Sequence, residues 1–213
     1  MKFFPLLALL FLLACQDTNT TATEPAPTEV TAPEAVTPAP TAVRTYAPGD
    51  HFGAITSGMT AEDVAKIYPD SDFRSDTLYG PEGMTYLGYR LFPDQDDEAE
   101  VSFSDEGEIT IILRNPGGAW VDPATGVRIG TSLRHLQRVN GPAFVFSGFG
   151  WDYGGYVNDW KGGKLDGNSL RLGVSGYEDP AAYEFAMGDQ PVSSDDERLQ
   201  DLGVRVDQIQ VNL

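Results

Sequence analysis

The chain has 213 residues, in which 32 acidic side chains outnumber 14 basic ones, and its formal net charge is −18 at pH 7. This balance excludes nucleic acid as a partner, because affinity for a phosphate backbone comes mainly from Lys and Arg. Cys15 is the only cysteine, so no disulfide can form within the chain and the fold depends on its hydrophobic core. The length suits one such core, or two small repeats that share one.

The N-terminal segment carries an apolar run that follows Lys2 and ends in Leu-Leu-Ala-Cys at residues 12–15. A charged start and a short apolar core are typical of a secretory signal, and the run is shorter than the roughly 20 residues that a membrane-spanning helix needs. Residues 12–15 resemble the lipobox of bacterial lipoprotein signals. The resemblance implies removal of a signal peptide, residues 1–14, and lipidation of Cys15. The alternative is an uncleaved signal with a chance cysteine.

The expected location follows from this anchor. Lipid on Cys15 would hold the mature chain to a bacterial membrane, since two acyl chains anchor a protein stably. The outer membrane is favoured, with the folded domain in the periplasm or at the cell surface. We therefore expect two partners, the membrane through the lipid and another protein of the cell envelope.

Residues 15–45 are rich in Thr, Pro and Ala and contain no aromatic side chain. Such a segment cannot bury enough apolar surface to offset the entropy of ordering, so we predict a disordered tether. Its spaced prolines favour polyproline II, which limits the reach of 30 residues to about 90 Å. The functional interpretation is a spacer between the anchor and the domain; the alternative is a processing remnant without a role.

Gly58 opens the first clear helix signal. Thr60 is a good N-cap with Asp63 in the capping-box position, and Pro69 ends the helix. The expected apolar stripe consists of Val64, Ile67 and Tyr68.

The same pattern returns in the second half of the chain. Gly130 corresponds to Gly58, Ser132 to Thr60, and Leu136 to Val64. The second helix again ends before a proline. We predict two tandem repeats of a short helix and an antiparallel β-meander, which is an α+β fold. The predicted boundaries of the repeats are residues 46–118 and 119–213.

Strand patterns follow both helices. After the first they cover residues 84–92, 101–103 and 109–113; after the second, 144–149, 151–160, 169–175 and 204–213. The connections are too short for crossover helices, so the sheets should be antiparallel. The apolar parity changes between Val206 and Ile209, which predicts a bulge or a strand buried on both faces. Asp179 followed by Pro180 predicts a short helix through Phe185.

The phrase Gly-Met-Thr-x-x-Asp-Val at residues 58–64, followed by a helix and a meander, resembles the small envelope lipoproteins of the SmpA/OmlA type. Its tandem duplication resembles the β-lactamase-inhibitory-protein-like fold. These resemblances imply a non-catalytic domain that binds protein or supports an envelope assembly.

Residues for catalysis are scarce. The sequence has no Gly-x-Ser-x-Gly or Ser-x-x-Lys motif, and neither His51 nor His135 belongs to a metal-binding pattern. The acidic run 94–100 lacks the glycine and glutamate of an EF-hand, so we interpret it as a solvated loop. We predict no catalytic residue, no metal, no cofactor and no enzymatic activity. Asp152 and Asp159 stay open as a hydrolytic pair, because the fold sets their separation.

Candidate partner-binding residues come from two segments. Residues 144–160 are the most aromatic part of the chain, and Trp and Tyr are enriched at binding hot spots. The competing interpretation is a sheet core that includes Trp151 and Tyr153, with Trp160 as the aromatic residue expected at the surface. The candidates of this segment are Trp151, Tyr153, Tyr156 and Trp160.

Arg134 and Arg138, beside His135 on the second helix, are the other candidates. They form either a basic spot for an anionic partner or a solvated helix face. The leading hypothesis is therefore a lipid-anchored, protein-binding module of the envelope. The alternative is a surface lipoprotein that binds carbohydrate or hydrolyses glycosides.

Overall fold

Residues 44–174 and 180–213, which the computed structural model describes, contain two α-helices, twelve strands and three short 3₁₀ helices. Cys15, the predicted signal 1–14 and nearly all of the predicted tether lie outside the described residues. Asp179, the predicted N-cap of a short helix, lies outside them as well.

The strands are grouped around the two helices, α1 (Ala61–Ile67) and α2 (Leu133–Asn140). Before α1 come β1 (Tyr46–Ala47), β2 (His51–Phe52) and β3 (Ile55–Thr56). Between the helices come β4 (Phe73–Tyr79), β5 (Thr85–Leu91), β6 (Ala99–Phe103) and β7 (Ile109–Leu113). After α2 come β8 (Val145–Ser147), β9 (Val157–Asp159), β10 (Ser169–Val174), β11 (Pro191–Ser193) and β12 (Val204–Asn212). The 3₁₀ helices are Pro81–Gly83, Pro180–Ala186 and Glu197–Asp201.

Six strands form the main sheet in the order β10-β12-β7-β6-β5-β4, and every neighbouring pair is antiparallel, as predicted. At its centre β7 pairs with β12, with Ile111 opposite Val211. A smaller antiparallel sheet, β11-β8-β9, adjoins β10 through a bridge between Tyr156 and Arg171. The described chain is therefore an α+β fold with more strand than helix.

The hydrophobic core covers one face of the main sheet. Alternate residues of β7, such as Ile109 and Ile111, point into this core together with Val64 of α1 and Leu136 of α2, and all four are fully buried. The residues between them point to the opposite face. We call that second face, which carries mainly polar side chains, the open face.

Both helices begin with the predicted signals. In α1 the Thr60 side chain accepts a hydrogen bond from the amide of Asp63, whose carboxylate in turn accepts from the amide of Thr60, so the capping box is complete. A hydrogen bond from Lys66, together with those from Thr60, lowers the pKa of Asp63 to about 2. In α2 Ser132 caps the amide of His135 in the same way.

The prediction of an apolar stripe on α1 is partly wrong. Val64 is buried and Tyr68 packs against the core, but the side chain of Ile67 is 44% exposed. A helix of only seven residues presents about two turns, so one residue of the stripe lies beyond the contact with the sheet.

Most predicted strands are confirmed, and so is the predicted bulge. It lies at Asp207 of β12, because Arg171 pairs with Gln208 and the next residue, Leu172, pairs with Val206. The run 151–160 contributes only the three residues of β9. The strands that were not predicted are the short β1, β2, β3 and β11, and also β4, in which polar residues in the middle mask the alternation.

Truncation of the two fully buried helix residues, Val64 and Leu136, tests how the helices are held. Val64→Ala and Leu136→Ala should each lower the free energy of unfolding by about 1 to 4 kcal/mol, because each removes fully buried methyl groups and leaves a cavity. Ile67→Ala is the matched control on an exposed site and should change it by less than about 0.5 kcal/mol. Urea unfolding measures all three. A loss at Leu136 as small as that at Ile67 would contradict the core described here.

Candidate functional site

The aromatic segment 144–160 divides between core and surface. Phe144 and Phe146 are fully buried, as the core interpretation required. Trp160 is only 4% exposed and its indole N–H donates to the carbonyl oxygen of Asn168 at 2.8 Å. The prediction that Trp160 lies at the surface is therefore wrong, because a buried Trp is stable once its single donor is paired.

Trp151 and Tyr153 show the opposite error. They are 38% and 40% exposed, so the interpretation that they fill the core is wrong and their choice as surface candidates stands. They lie in residues 148–156, which we call the aromatic loop. The Trp151 indole N–H donates to the carbonyl oxygen of Gly148 at 2.9 Å, and the two rings meet edge to face at 5.5 Å. The rings are thus held in place by the loop itself.

A second exposed segment comes from the hairpin of β4 and β5. Strand β6 pairs only with the last three residues of β5, from Tyr89 to Leu91, so the outer half of the hairpin extends beyond the neighbouring strand. We call this outer half, residues 77–88, the hairpin arm. Its exposed large apolar side chains are Tyr79, Met84, Tyr86 and Leu87. Sequence reasoning missed the arm as a functional segment, although Gly-Pro-Glu-Gly at 80–83 marks its turn.

The hairpin arm and the aromatic loop touch each other. The Tyr153 hydroxyl donates to the carboxylate of Glu82 at 3.3 Å, and the charge on Glu82 raises the pKa of Tyr153. Glu82 has a positive φ of 57°, a conformation that costs energy for a residue with a side chain. A flat sheet would separate β9 from β5 by five strand spacings, about 24 Å. The contact therefore requires that the sheet curve and the arm lean over the open face.

Six of the seven large apolar side chains that are exposed in the described residues belong to these two segments. Scattered single residues of this kind are ordinary on protein surfaces, whereas a concentration of them marks an interaction site. We call the group the arm–loop surface. It consists of Tyr79, Met84, Tyr86, Leu87, Trp151 and Tyr153. It covers both faces of the arm, because the register places Tyr79 and Leu87 on the face opposite to that of Tyr86.

A polar network crosses the open face beside this surface. Arg90 binds Asp76 at 2.7 Å and Glu98 at 2.6 Å, and Arg114 binds Glu100. The network continues toward the aromatic loop through Arg114, which donates to the side-chain oxygen of Gln208 at 3.1 Å.

Tyr156 is the end of that network. Its hydroxyl accepts from the Gln208 amide at 2.8 Å, and the guanidinium of Arg171 lies 5.9 Å from its ring centre. Tyr156 is half-buried and is the last residue of the aromatic loop, where it bridges to Arg171 of β10. The structure thus brings together Trp151, Tyr153 and Tyr156 of the predicted binding residues and places Trp160 in the core.

The open face carries cavities, of which two concern the binding candidates. The first, of about 420 Å³, is lined by Arg90, Glu100 and Arg114 among others. The second, of about 360 Å³, lies beside the aromatic loop and is lined by Trp151 and Asp152.

Asp152 and Asp159, the pair left open for hydrolysis, have different surroundings, since Asp152 lines the second cavity and Asp159 does not. Asp159 is exposed and accepts from the amide and ammonium of Lys161, both at 2.7 Å, which lowers its pKa. Asp152 shares its cavity with Asp207, but Asp207 forms a bidentate pair with Arg171 at 2.9 and 3.2 Å.

Carboxylates of the acidic run 94–100 form ion pairs with arginines of the domain. Asp94 binds Arg74 at 3.2 Å, and Asp97 binds Arg44 at 2.9 Å. In residues 44–174 and 180–213, no group of three or more His, Cys, Asp or Glu side chains is arranged to hold a metal ion.

Arg134 and Arg138 are exposed on α2, on the core side of the sheet, and the structure does not place them beside the arm–loop surface. His135 is half-buried, with Nε2 at 3.2 Å from the carbonyl oxygen of Thr125.

Comparison with protein families, with curated proteins and with solved structures gave no match. Within the part of the chain that the structure describes, no helix is long and apolar enough to cross a membrane. We therefore infer the function from the geometry of the described residues.

Gly155 tests how the aromatic loop is anchored. Its φ is +81°, and an added Cβ would lie 2.0 Å from the carbonyl oxygen of Leu172 on β10. Gly155→Ala should lower the free energy of unfolding by more than about 2 kcal/mol, because backbone strain and a backbone clash add. Gly162→Ala is the control, with φ +67° but open space, and should cost about 1 kcal/mol. Equal losses in thermal unfolding would contradict the close approach of the loop to β10.

Proposed function

We propose that the protein is a non-enzymatic binding module of the cell envelope that holds another protein on its arm–loop surface. The observation that carries the proposal is the concentration of exposed apolar side chains on two touching segments, with a polar network beside them. This arrangement matches the anatomy of protein interfaces, in which aromatic anchors are bordered by polar groups. Burial of such a surface against a partner is favourable, because it removes apolar side chains from water.

The composition of the surface favours a protein partner. Leu87 is 86% exposed and Met84 is 56% exposed, and such flexible aliphatic side chains suit a protein surface better than a sugar ring. Strand β4 is also an edge strand of the main sheet, so its outer backbone groups are open to pairing with a strand of a partner.

Carbohydrate binding is the second candidate, and one observation favours it. Trp151 and Asp152 line the cavity of about 360 Å³, which combines an aromatic ring with a carboxylate. Glycoside hydrolysis is less well supported, since it needs a carboxylic acid with a raised pKa. In the described residues, the carboxyl groups whose pKa is shifted are Asp63, Asp76, Asp159 and Asp196, and all four are lowered.

We also propose that the domain arose by duplication of one helix-and-meander unit. The first unit supplies the meander β4-β5-β6-β7 and the second supplies β8-β9-β10-β12, so the two last strands, β7 and β12, pair at the centre. The lead-in to each helix supports this proposal. Gly58 and Gly130, each two residues before its N-cap, have φ of 82° and 83°. Ile55 and Val127, at the same spacing, are both fully buried.

The proposed location is the cell envelope, where lipid on Cys15 anchors the chain to a bacterial membrane, with the outer membrane favoured and the domain in the periplasm or at the cell surface. Residues 15–45 are the proposed tether. The sequence of residues 1–15 supports this part of the proposal. A tethered binding module can reach a partner at a distance set by its spacer.

Site-specific photocrosslinking tests the binding proposal. A benzophenone amino acid is placed at Tyr86 or Trp151 on the arm–loop surface, and at exposed Ile67 of α1 as the control. We expect a discrete protein adduct in native membranes from positions 86 and 151, because a bound partner lies within reach of both. Position 67 should give none. Equal adducts at all three positions, or an adduct at 67 alone, would contradict the proposal.

Cys15→Ser tests the anchor. The substituted protein should leave the membrane fraction and become soluble, since acyl chains cannot be attached to serine in thioether linkage. Fractionation after a high-salt wash measures this. If the substituted protein still sediments with membranes, an attachment other than lipid holds it.

A further inference from the structure

The cationic side chains of the domain divide into two groups. Of the 14 Lys and Arg residues, all except Lys2 lie in the described residues, and eight of these form ion pairs with carboxylates. The five described cations that form none are Arg128, Arg134, Arg138, Lys164 and Arg205.

These five side chains gather around α2. Arg134 and Arg138 are one helical turn apart on its exposed face. Arg128 and Arg205 line a cavity of about 320 Å³ together with His135. We call the group the basic stripe.

Long-range pairing assembles this group. Ser132, the N-cap of α2, bridges to Arg205 of β12, and the Arg205 guanidinium donates to the carbonyl oxygen of Gly130 at 3.3 Å. At the other end, the Lys164 ammonium donates to the carbonyl oxygen of Ala124 at 3.3 Å.

The segment of the chain that carries α2 contains no acidic residue, although the protein is acidic. Residues 123–151 contain no Asp or Glu, although the chain has 32 of them. The first turn of α1 carries Glu62 and Asp63, whereas the first turn of α2 carries no acid. Asp122 is buried and accepts from the Thr125 hydroxyl at 2.5 Å, so it is committed to its own turn.

The acidic segment 195–201 approaches α2 through the contacts of Gln137 with Ser194 and of Arg134 with Gln200, but none of the five cations forms an ion pair with it. The five cations thus keep their charges without a carboxylate partner in the described residues.

We propose that the basic stripe is a second binding surface, which takes an extended Asp- or Glu-rich segment of a partner protein. Carboxylates spaced along such a segment can each meet one guanidinium, and arginine binds a carboxylate through two parallel hydrogen bonds. Nearby neutral groups add donors, since Arg134 already contacts the amide of Gln200 at 3.3 Å.

A peptide fits the stripe better than a membrane does. None of the exposed large apolar side chains of the described residues lies on α2, so the stripe offers nothing to insert into lipid. The net charge of −18 would oppose a flat approach to an anionic bilayer, whereas a narrow peptide contacts the stripe alone. Arg134 and Arg138 lie on α2, on the core side of the sheet, whereas Arg205 alternates with buried Val204 and Val206 and points to the other side. No residue of the stripe belongs to the arm–loop surface, so this inference does not depend on that surface.

Binding of a fluorescein-labelled hexaglutamate peptide to the full-length chain in a non-ionic detergent tests the proposal by fluorescence anisotropy. The peptide should bind at low ionic strength and dissociate as NaCl is added. The double variant Arg134→Gln/Arg138→Gln should bind at least about tenfold more weakly, because two charge-assisted contacts are lost. The net charge disfavours any nonspecific binding of this anionic probe.

Lys66→Gln/Arg74→Gln is the matched control, since it removes the same charge from two exposed cations that already have carboxylate partners. It should leave the affinity unchanged. Circular dichroism and thermal unfolding check that both double variants fold. Equal weakening by the two variants, or no binding by the unsubstituted chain, would overturn the proposal. Binding to phosphatidylglycerol vesicles, lost in the α2 variant, without binding to hexaglutamate would overturn it in favour of a lipid surface.

Discussion

The pairing of β7 with β12 is the constraint on which the rest of the structure depends. It joins strands from before and after α2 into one sheet, and its register places Ile111 opposite Val211 and Leu113 opposite Ile209, all on the core face. Side chains in a strand alternate, so this register also sends the intervening polar residues to the other face. Both helices pack on one side as a consequence, and the open face is left for other contacts.

The two proposed surfaces follow from that arrangement. On the open side, the curved sheet brings the hairpin arm to the aromatic loop, where Tyr153 meets Glu82. At the other end of the sheet, the start of β12 brings Arg205 to the N-cap of α2 and completes the basic stripe. The apolar surface and the cationic surface use different chemistry, which suits two different parts of a partner or two partners.

Local signals in the sequence predicted much of the fold, and long-range packing decided the rest. The capping residues Thr60 and Ser132 could be recognised because each bonds within its own helix turn. Burial of tryptophan could not be recognised in this way. The indole N–H groups of Trp160 and Trp151 both donate to a backbone carbonyl oxygen, yet only Trp160 is buried, so long-range packing and not the pairing of the donor decides which ring is covered. Of the arm–loop surface, the sequence predicted only the aromatic loop. The hairpin arm lies about 70 residues away along the chain, and the curvature of the sheet brings the two segments together.

Hydroxyl-radical footprinting of the protein in its native envelope, compared with the purified protein, tests the central claim most directly. The claim is that a partner covers the arm–loop surface. Leu87 and Ile67 are matched aliphatic side chains, both exposed, of which only Leu87 belongs to that surface. The account predicts that oxidation of Leu87 and Trp151 falls in the envelope while that of Ile67 stays the same. Unchanged oxidation of Leu87 and Trp151, or an equal fall at Ile67, would contradict it.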